Sequence, residues 1–189
     1  MRLVLASTSP HRRAILEAAS IAHEAVAPSF VEDHGSDPPE QIAIAFARAK
    51  AESVAARFPG AVVIGADQVP ELDGKPLTKP ASVAEAEAQL RALRGKTHRL
   101  LTAVAVHADG RTEHRLVVHH MHMRALGDAE ITAYVARDRP IGCAGAYKVE
   151  AAGALLFSSM EGPDHTAIVG LPLAALADLL AERGLSLLL

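Results

Sequence analysis

Apolar and polar positions alternate in blocks along this chain, and the blocks read as a mixed α/β protein. Leu3 to Ala6 is a short, unbroken apolar run, predicting a buried strand over residues 2–6. Ser9 can then cap a helix over residues 10–19, with Pro10 at the first helical position, where its missing N–H costs nothing. A short extended piece, 23–27, enters a loop from Pro28 to Pro39 that is rich in Pro, Gly, Asp and Ser. Ile42, Ala45, Phe46 and Ala49 fall at helical spacing and predict a helix over 39–57. Ala61 to Ala66 is wholly apolar, as a strand buried on both faces should be, and is expected to end at Asp67-Gln68. Residues 71–80 read as a turn-rich connector carrying Lys75 and Lys79, followed by a helix over 82–93 with Ser82 and Glu85 at capping-box spacing. Asp109-Gly110 between the runs 100–107 and 113–123 signals a two-residue hairpin. A helix over 128–137, a small-residue segment over 142–147, and a leucine-faced helix over 173–183 that stops at Gly184 complete the pattern. No repeat or linker divides the chain, so residues 1–189 are expected to form one domain.

Composition narrows the partners. Half the residues are apolar and 22% are charged, with a net charge of −3. A nucleic-acid-binding face would need clustered excess Lys and Arg, and aromatic residues are only 3%, so no nucleic-acid partner is expected. Cys143 is the single cysteine, which excludes an internal disulfide and suits a reducing compartment. Arg12 and Arg13 interrupt the first apolar segment and argue against a signal peptide, and no apolar run reaches membrane-span length. A cytoplasmic protein with no membrane partner is expected.

The opening turn carries the strongest chemical signal. A helix start collects unpaired N–H donors and the positive end of the dipole. His11, Arg12 and Arg13 in the first turn oppose that dipole, at a few tenths to about 1 kcal/mol each, so an anion is expected there. The alternative is an ordinary turn with solvated arginines. Ser7, Ser9, Arg12 and Arg13 form one polar cluster; the others are the acidic loop around Glu32, Asp67-Gln68 followed by Lys79, and Lys148 with Glu150. Such an inventory fits a polyphosphate substrate with a divalent cation, since Mg²⁺ is typically held by one or two carboxylates plus substrate phosphates. Glu32 and Asp67 are the candidate ligands, and Asp67 can also orient or deprotonate an attacking water. His119, His120 and His122 lack an accompanying carboxylate or cysteine pattern and read as solvated strand histidines. Cys143 and Tyr147 read as packing, and Lys96 and Arg99 as a solvated strand end.

Five segments in order carry a resemblance: Ser7-Thr8-Ser9-Pro10-His11-Arg12, Gly65-Ala66-Asp67, Lys79-Pro80, Cys143-Ala144-Gly145-Ala146-Tyr147-Lys148 and Val169-Gly170-Leu171-Pro172-Leu173. Through them the chain resembles the Maf family of nucleoside triphosphate pyrophosphatases over nearly its whole length. The resemblance implies a bilobed mixed α/β sheet flanked by helices, like the inosine-triphosphate pyrophosphatases, with a central substrate cleft. It implies cleavage of a nucleoside triphosphate to the monophosphate and pyrophosphate with Mg²⁺ or Mn²⁺, and a homodimer. Asp67 matches the catalytic acid-base position, and Ser9, Arg12, Glu32, Lys50 and Lys79 match phosphate- or metal-contacting positions. His11, Gln68 and Glu150, with Cys143-Ala144-Gly145, resemble the branch acting on 7-methyl-GTP. A carboxylate at Glu150 complements the positive charge that N7-methylation places on guanine. The other readings are a dTTP/UTP pyrophosphatase of the same family and a non-catalytic nucleotide-binding regulator of septum formation. Thr78, Val31, Pro70 and Gly127 depart from the family pattern.

Overall fold

Strand β1 (Leu3–Ala6) and the start of β3 (Val62–Leu72), as far as Ala66, are apolar on both sides because both sides are covered. Leu3 and Leu5 join one core cluster with Val62, Ile64 and Ala66 of β3, while Val4 and Ala6 join a second with Val63. Alternate residues of a strand point to opposite faces, so each cluster marks one face of the sheet. The first face is covered by Leu16 of α1 (Pro10–Ala18) and by Leu176, Leu179 and Leu180 of α6 (Leu173–Ala181). The second is covered by Ala51 and Val54 of α2 (Pro39–Ala55). The computed structural model describes residues 2–30 and 35–188; the expectations for Val31 and Glu32 lie outside the described residues.

The remaining elements are β2 (Glu24–Val26), β4 (Lys75–Pro76), α3 (Val83–Leu93), β5 (Thr97–Ala108), β6 (Arg111–Met123), α4 (Asp128–Asp138), β7 (Phe157–Glu161) and α5 (His165–Val169). The sheet order is β2-β1-β3-β5-β6-β7, with β4 pairing β3. β1 runs parallel to both β2 and β3, whereas β4 and β7 pair antiparallel with β3 and β6. The fold is therefore a mixed α/β sheet flanked by helices. Two compact units divide the chain: residues 1–68, 102–117 and 164–189 form one, and residues 69–101 and 118–163 the other.

Three expectations are corrected. β3 does not end at Asp67-Gln68 but continues to Leu72, and the connector 71–80 contains β4. Pro70 lacks a donor, yet its carbonyl accepts from Leu77 N–H at 2.8 Å, and Asp73 and Gly74 close the turn with φ of 53° and 80°. Arg99 is not a solvated strand end. It pairs with Glu71, whose buried carboxylate also accepts from Gly74 N–H. Of His119, His120 and His122 on β6, only His120 is exposed: His119 is 1% exposed, and His122 is half-buried with Nδ1 at 2.8 Å from Thr97 Oγ1. His119 faces inward with Met121, and Gly162 lets the chain pass against its ring.

Local signals elsewhere match the elements. Asp109 and Gly110 both adopt positive φ, 51° and 73°, as a two-residue hairpin turn demands. Ser82 caps α3 by accepting from Glu85 N–H, while the Glu85 carboxylate reaches back to Ala81 N–H at 2.9 Å. Such a cap is worth about 1 kcal/mol. In the second unit, His98, Tyr147 and Phe157 form a buried cluster, with His98 Nε2 at 2.9 Å from the Tyr147 hydroxyl. No described helix is long and apolar enough to cross a membrane.

Candidate active site

The opening turn is held together by its own side chains. Ser7 is buried, and its Oγ accepts from Ser9 N–H at 3.1 Å and faces Arg12 Nη1 at 3.5 Å. Ser9 caps α1 by accepting from Arg12 N–H. The Arg12 guanidinium is turned back across the helix start, because its Nε donates to Gly170 O at 2.9 Å. Gly170 has φ +117°, a backbone state that side chains rarely adopt, and Arg12 packs 3.4 Å from where a Cβ would sit. His11 and Arg13 are exposed, and Arg13 lies 3.6 Å from Glu17 one turn on. Such a surface pair contributes little.

Alternation along β3 decides where Asp67 and Gln68 go. Asp67 shares the face of Val63 and Gly65, toward α2, and meets Lys50 there: Nζ lies 2.5 Å from Oδ1. Gly65 makes this approach possible. A Cβ at Gly65 would lie 2.7 Å from Ala51 N and closer still to Ala47 O, so only glycine lets α2 come down onto the strand at this level. The pairing of Leu5 with Ile64 in parallel register places Ser7 just past the end of β1 and Asp67 near the same level, midway along the neighbouring β3. Sites in α/β sheets form at the carboxyl ends of parallel strands.

Gln68 points to the other face. Its Nε2 donates to Ala167 O at 2.8 Å, Ile168 O at 3.0 Å and Thr102 Oγ1 at 3.1 Å. α5, which carries those carbonyls, is fixed by Asp164. The Asp164 carboxylate accepts from Thr166 N–H, the Thr166 hydroxyl and Ala174 N–H. Burial pushes this carboxyl up, but the bonds from Thr166 and Ala174 outweigh it and hold the pKa below its ordinary value. The sequence reading missed Thr102 and Asp164. A threonine inside the apolar run Leu100 to Val106 was the available signal for the first.

Lys79 and Glu150 are exposed residues of the second unit. In that unit Lys148 Nζ donates to Asp138 O at 2.9 Å, and its N–H donates to the Tyr134 hydroxyl. Burial pushes the Cys143 thiol up, so it is not poised as a thiolate nucleophile. Glu32 lies outside the described residues. Among the described residues, no group of three or more His, Cys, Asp or Glu is placed to hold a metal.

A capped, cation-bearing helix start follows β1, level with a buried acid on the neighbouring parallel strand, and such a helix start in an α/β protein suits an anion. Residues 2–183 match the Maf family, described as Maf-like protein, and the chain belongs to that family. It is 44% identical over 190 residues to the 7-methyl-GTP pyrophosphatase of Alkalilimnicola ehrlichii, covering 98% of this chain and 95% of that one. It is 44% identical over 187 residues to the protein of the same name from Xanthomonas oryzae pv. oryzae, covering 98% of each. With that of Albidiferax ferrireducens it shares 42% identity over 190 residues, covering 99% and 96%. Among solved structures, the Staphylococcus aureus Ham1 protein is similar over 66% of this chain and 73% of its own, at 18% identity and a TM-score of 0.49.

Proposed function

We propose that this chain hydrolyses 7-methyl-GTP to the nucleoside monophosphate and pyrophosphate. Full-length similarity to proteins named 7-methyl-GTP pyrophosphatase supports the reading, and the observation that carries it is the buried Lys50–Asp67 pair on β3, level with Ser7 at the end of the neighbouring β1. Asp67 accepts a proton from the water that attacks the α-phosphorus, the bond to the bridging oxygen breaks, and pyrophosphate leaves. Lys50 fixes the carboxylate through Oδ1. Arg12, tied to Gly170 O through Nε, brings its positive charge to phosphate oxygens. Ser7, Ser9, Arg13 and Lys79 are further phosphate-binding candidates.

The proposal includes Mg²⁺ or Mn²⁺. A buried carboxylate at the phosphate end of the sheet fits a cation that takes most of its ligands from substrate oxygens. Asp67 would hold it, with Glu32 as the second candidate. When bound, the ion offsets negative charge on the polyphosphate. His11, Gln68 and Glu150 are proposed to set the base preference. For Glu150 the support is charge: a carboxylate complements the cationic ring of 7-methylguanine, which a neutral amide does not. A cytoplasmic setting is part of the reading, supported by the single cysteine among 189 residues.

The test is pyrophosphate release from 7-methyl-GTP, GTP, UTP and dTTP, with and without Mg²⁺ or Mn²⁺. Metal-dependent turnover that favours 7-methyl-GTP is expected. Preference for UTP or dTTP would move the chain to the pyrimidine reading, and tight nucleotide binding without turnover would make it a regulator. Glu150→Gln should narrow the margin between 7-methyl-GTP and GTP; an unchanged margin removes the charge argument.

A further inference from the structure

All three anchors of the Gln68 amide are acceptors, and that fixes which way the amide points. Ala167 O and Ile168 O are carbonyl oxygens, so they require the NH₂ end of the side chain. Thr102 could in principle donate or accept. It is fully buried, however, and its hydroxyl proton is used on Ala167 O at 2.9 Å, leaving only lone pairs for Gln68. With Nε2 held at three points, Oε1 is directed away from α5. The amide is thereby oriented before any ligand arrives.

We propose that Thr102 is a positioning residue that presents Gln68 as a hydrogen-bond acceptor to the substrate, and so favours a base edge on which N–H donors stand side by side over one that flanks a single donor with acceptors. This rests on the reading of Gln68 as a base-contacting residue. Guanine and 7-methylguanine offer N1–H and N2–H₂ on one edge. A base that turned a carbonyl to Gln68 would set two acceptors against each other, and leaving such groups unpaired is how sites reject an analogue. Because the restraint acts on orientation, its loss weakens discrimination more than it slows the chemical step.

Thr102→Val keeps the shape and removes the hydroxyl. Expected is a roughly tenfold fall in kcat/KM for the preferred nucleotide, carried by KM with kcat within about twofold, and a narrowed margin over the other bases. Thr102→Ser, which restores the hydroxyl, should recover the margin. In the free enzyme, the Gln68 side-chain amide protons should exchange with solvent about tenfold faster in Thr102→Val than in the wild type, read by NMR. If Thr102→Val does not fold, Thr102→Cys, a weak donor and acceptor, takes its place. Unchanged base preference, an equal loss of kcat on all bases, or unchanged amide exchange would each overturn the proposal. A wild type that does not prefer 7-methyl-GTP defeats the substrate reading instead. The variants are then compared on the base it does prefer, and the exchange measurement needs no substrate.

Discussion

Lys50 Nζ stands 2.5 Å from Asp67 Oδ1, and each side chain retains only 9% of its exposure. A pair so withdrawn from water is poor evidence for stability, because desolvation offsets most of the attraction. Its value lies in holding the carboxylate in one orientation. Asp67→Asn keeps the size and removes the charge. Pyrophosphate release should fall at least about a hundredfold, with the circular-dichroism spectrum retained. Stability should drop on the order of 3 kcal/mol, since Lys50 is left buried without its counter-charge. Turnover within a few-fold of wild type would remove Asp67 from the mechanism.

Gly65→Ala tests the descent of α2 onto β3. The new methyl meets backbone atoms of Ala47 and Ala51, which cannot swing aside as a side-chain tip would. Overpacking of this kind costs about 1–3 kcal/mol, measurable by urea unfolding. Because Lys50 lies between those two residues, activity should fall as well, by about tenfold or more. A variant as stable and active as wild type would show that the close approach is unnecessary.

Burial of His98 predicts an acid-side loss of stability. Desolvation, with a smaller contribution from His122, lowers its pKa to about 4. The unfolded chain protonates this residue near pH 6.5, whereas the folded protein leaves it neutral until about pH 4. Stability is therefore fully present above pH 6.5 and declines as pH falls toward 4, by up to about 3 kcal/mol. His98→Phe should flatten that part of the stability profile in denaturant titrations. Identical slopes for both proteins would refute the assignment.

Asp164→Ala removes the acceptor that caps α5 at Thr166 and ties it to Ala174 of α6. About 1–3 kcal/mol of stability should go with it. The wild-type contribution, from a carboxyl held below its ordinary pKa, is present above about pH 4 and is lost as pH falls further. Since α5 and Gly170 anchor Gln68 and Arg12, KM for the triphosphate should rise more than kcat falls. A variant with lowered melting temperature and an unchanged KM would separate the clamp from the site.

Legibility followed burial. β1 and the first part of β3, to Ala66, were readable because covering both faces leaves a wholly apolar signature, and the Asp109-Gly110 turn because only residues tolerant of positive φ serve there. The end of β3 was misplaced because Pro70 reads as a breaker, whereas its carbonyl pairs with Leu77 and needs no donor. β7 and α5 have five residues each, too few to show a period. Ser9 announced its cap by local chemistry, and Asp67 stood out as an acid following an apolar run. Thr102 and Asp164 act on partners 65 and 10 residues away, at Ala167 and Ala174, which no local pattern encodes.

The short helix α5 and the glycine that ends it fasten two side chains with different tasks: Gln68 through Ala167 and Ile168, and Arg12 through Gly170. With Gln68 at the base and Arg12 at the phosphates, as proposed, evolution or design that shifts this segment to suit another base will disturb the hold on phosphate at the same moment. New base preferences are therefore reachable by exchanging residues 68 and 102 on a stationary α5, and closed to any route that moves it.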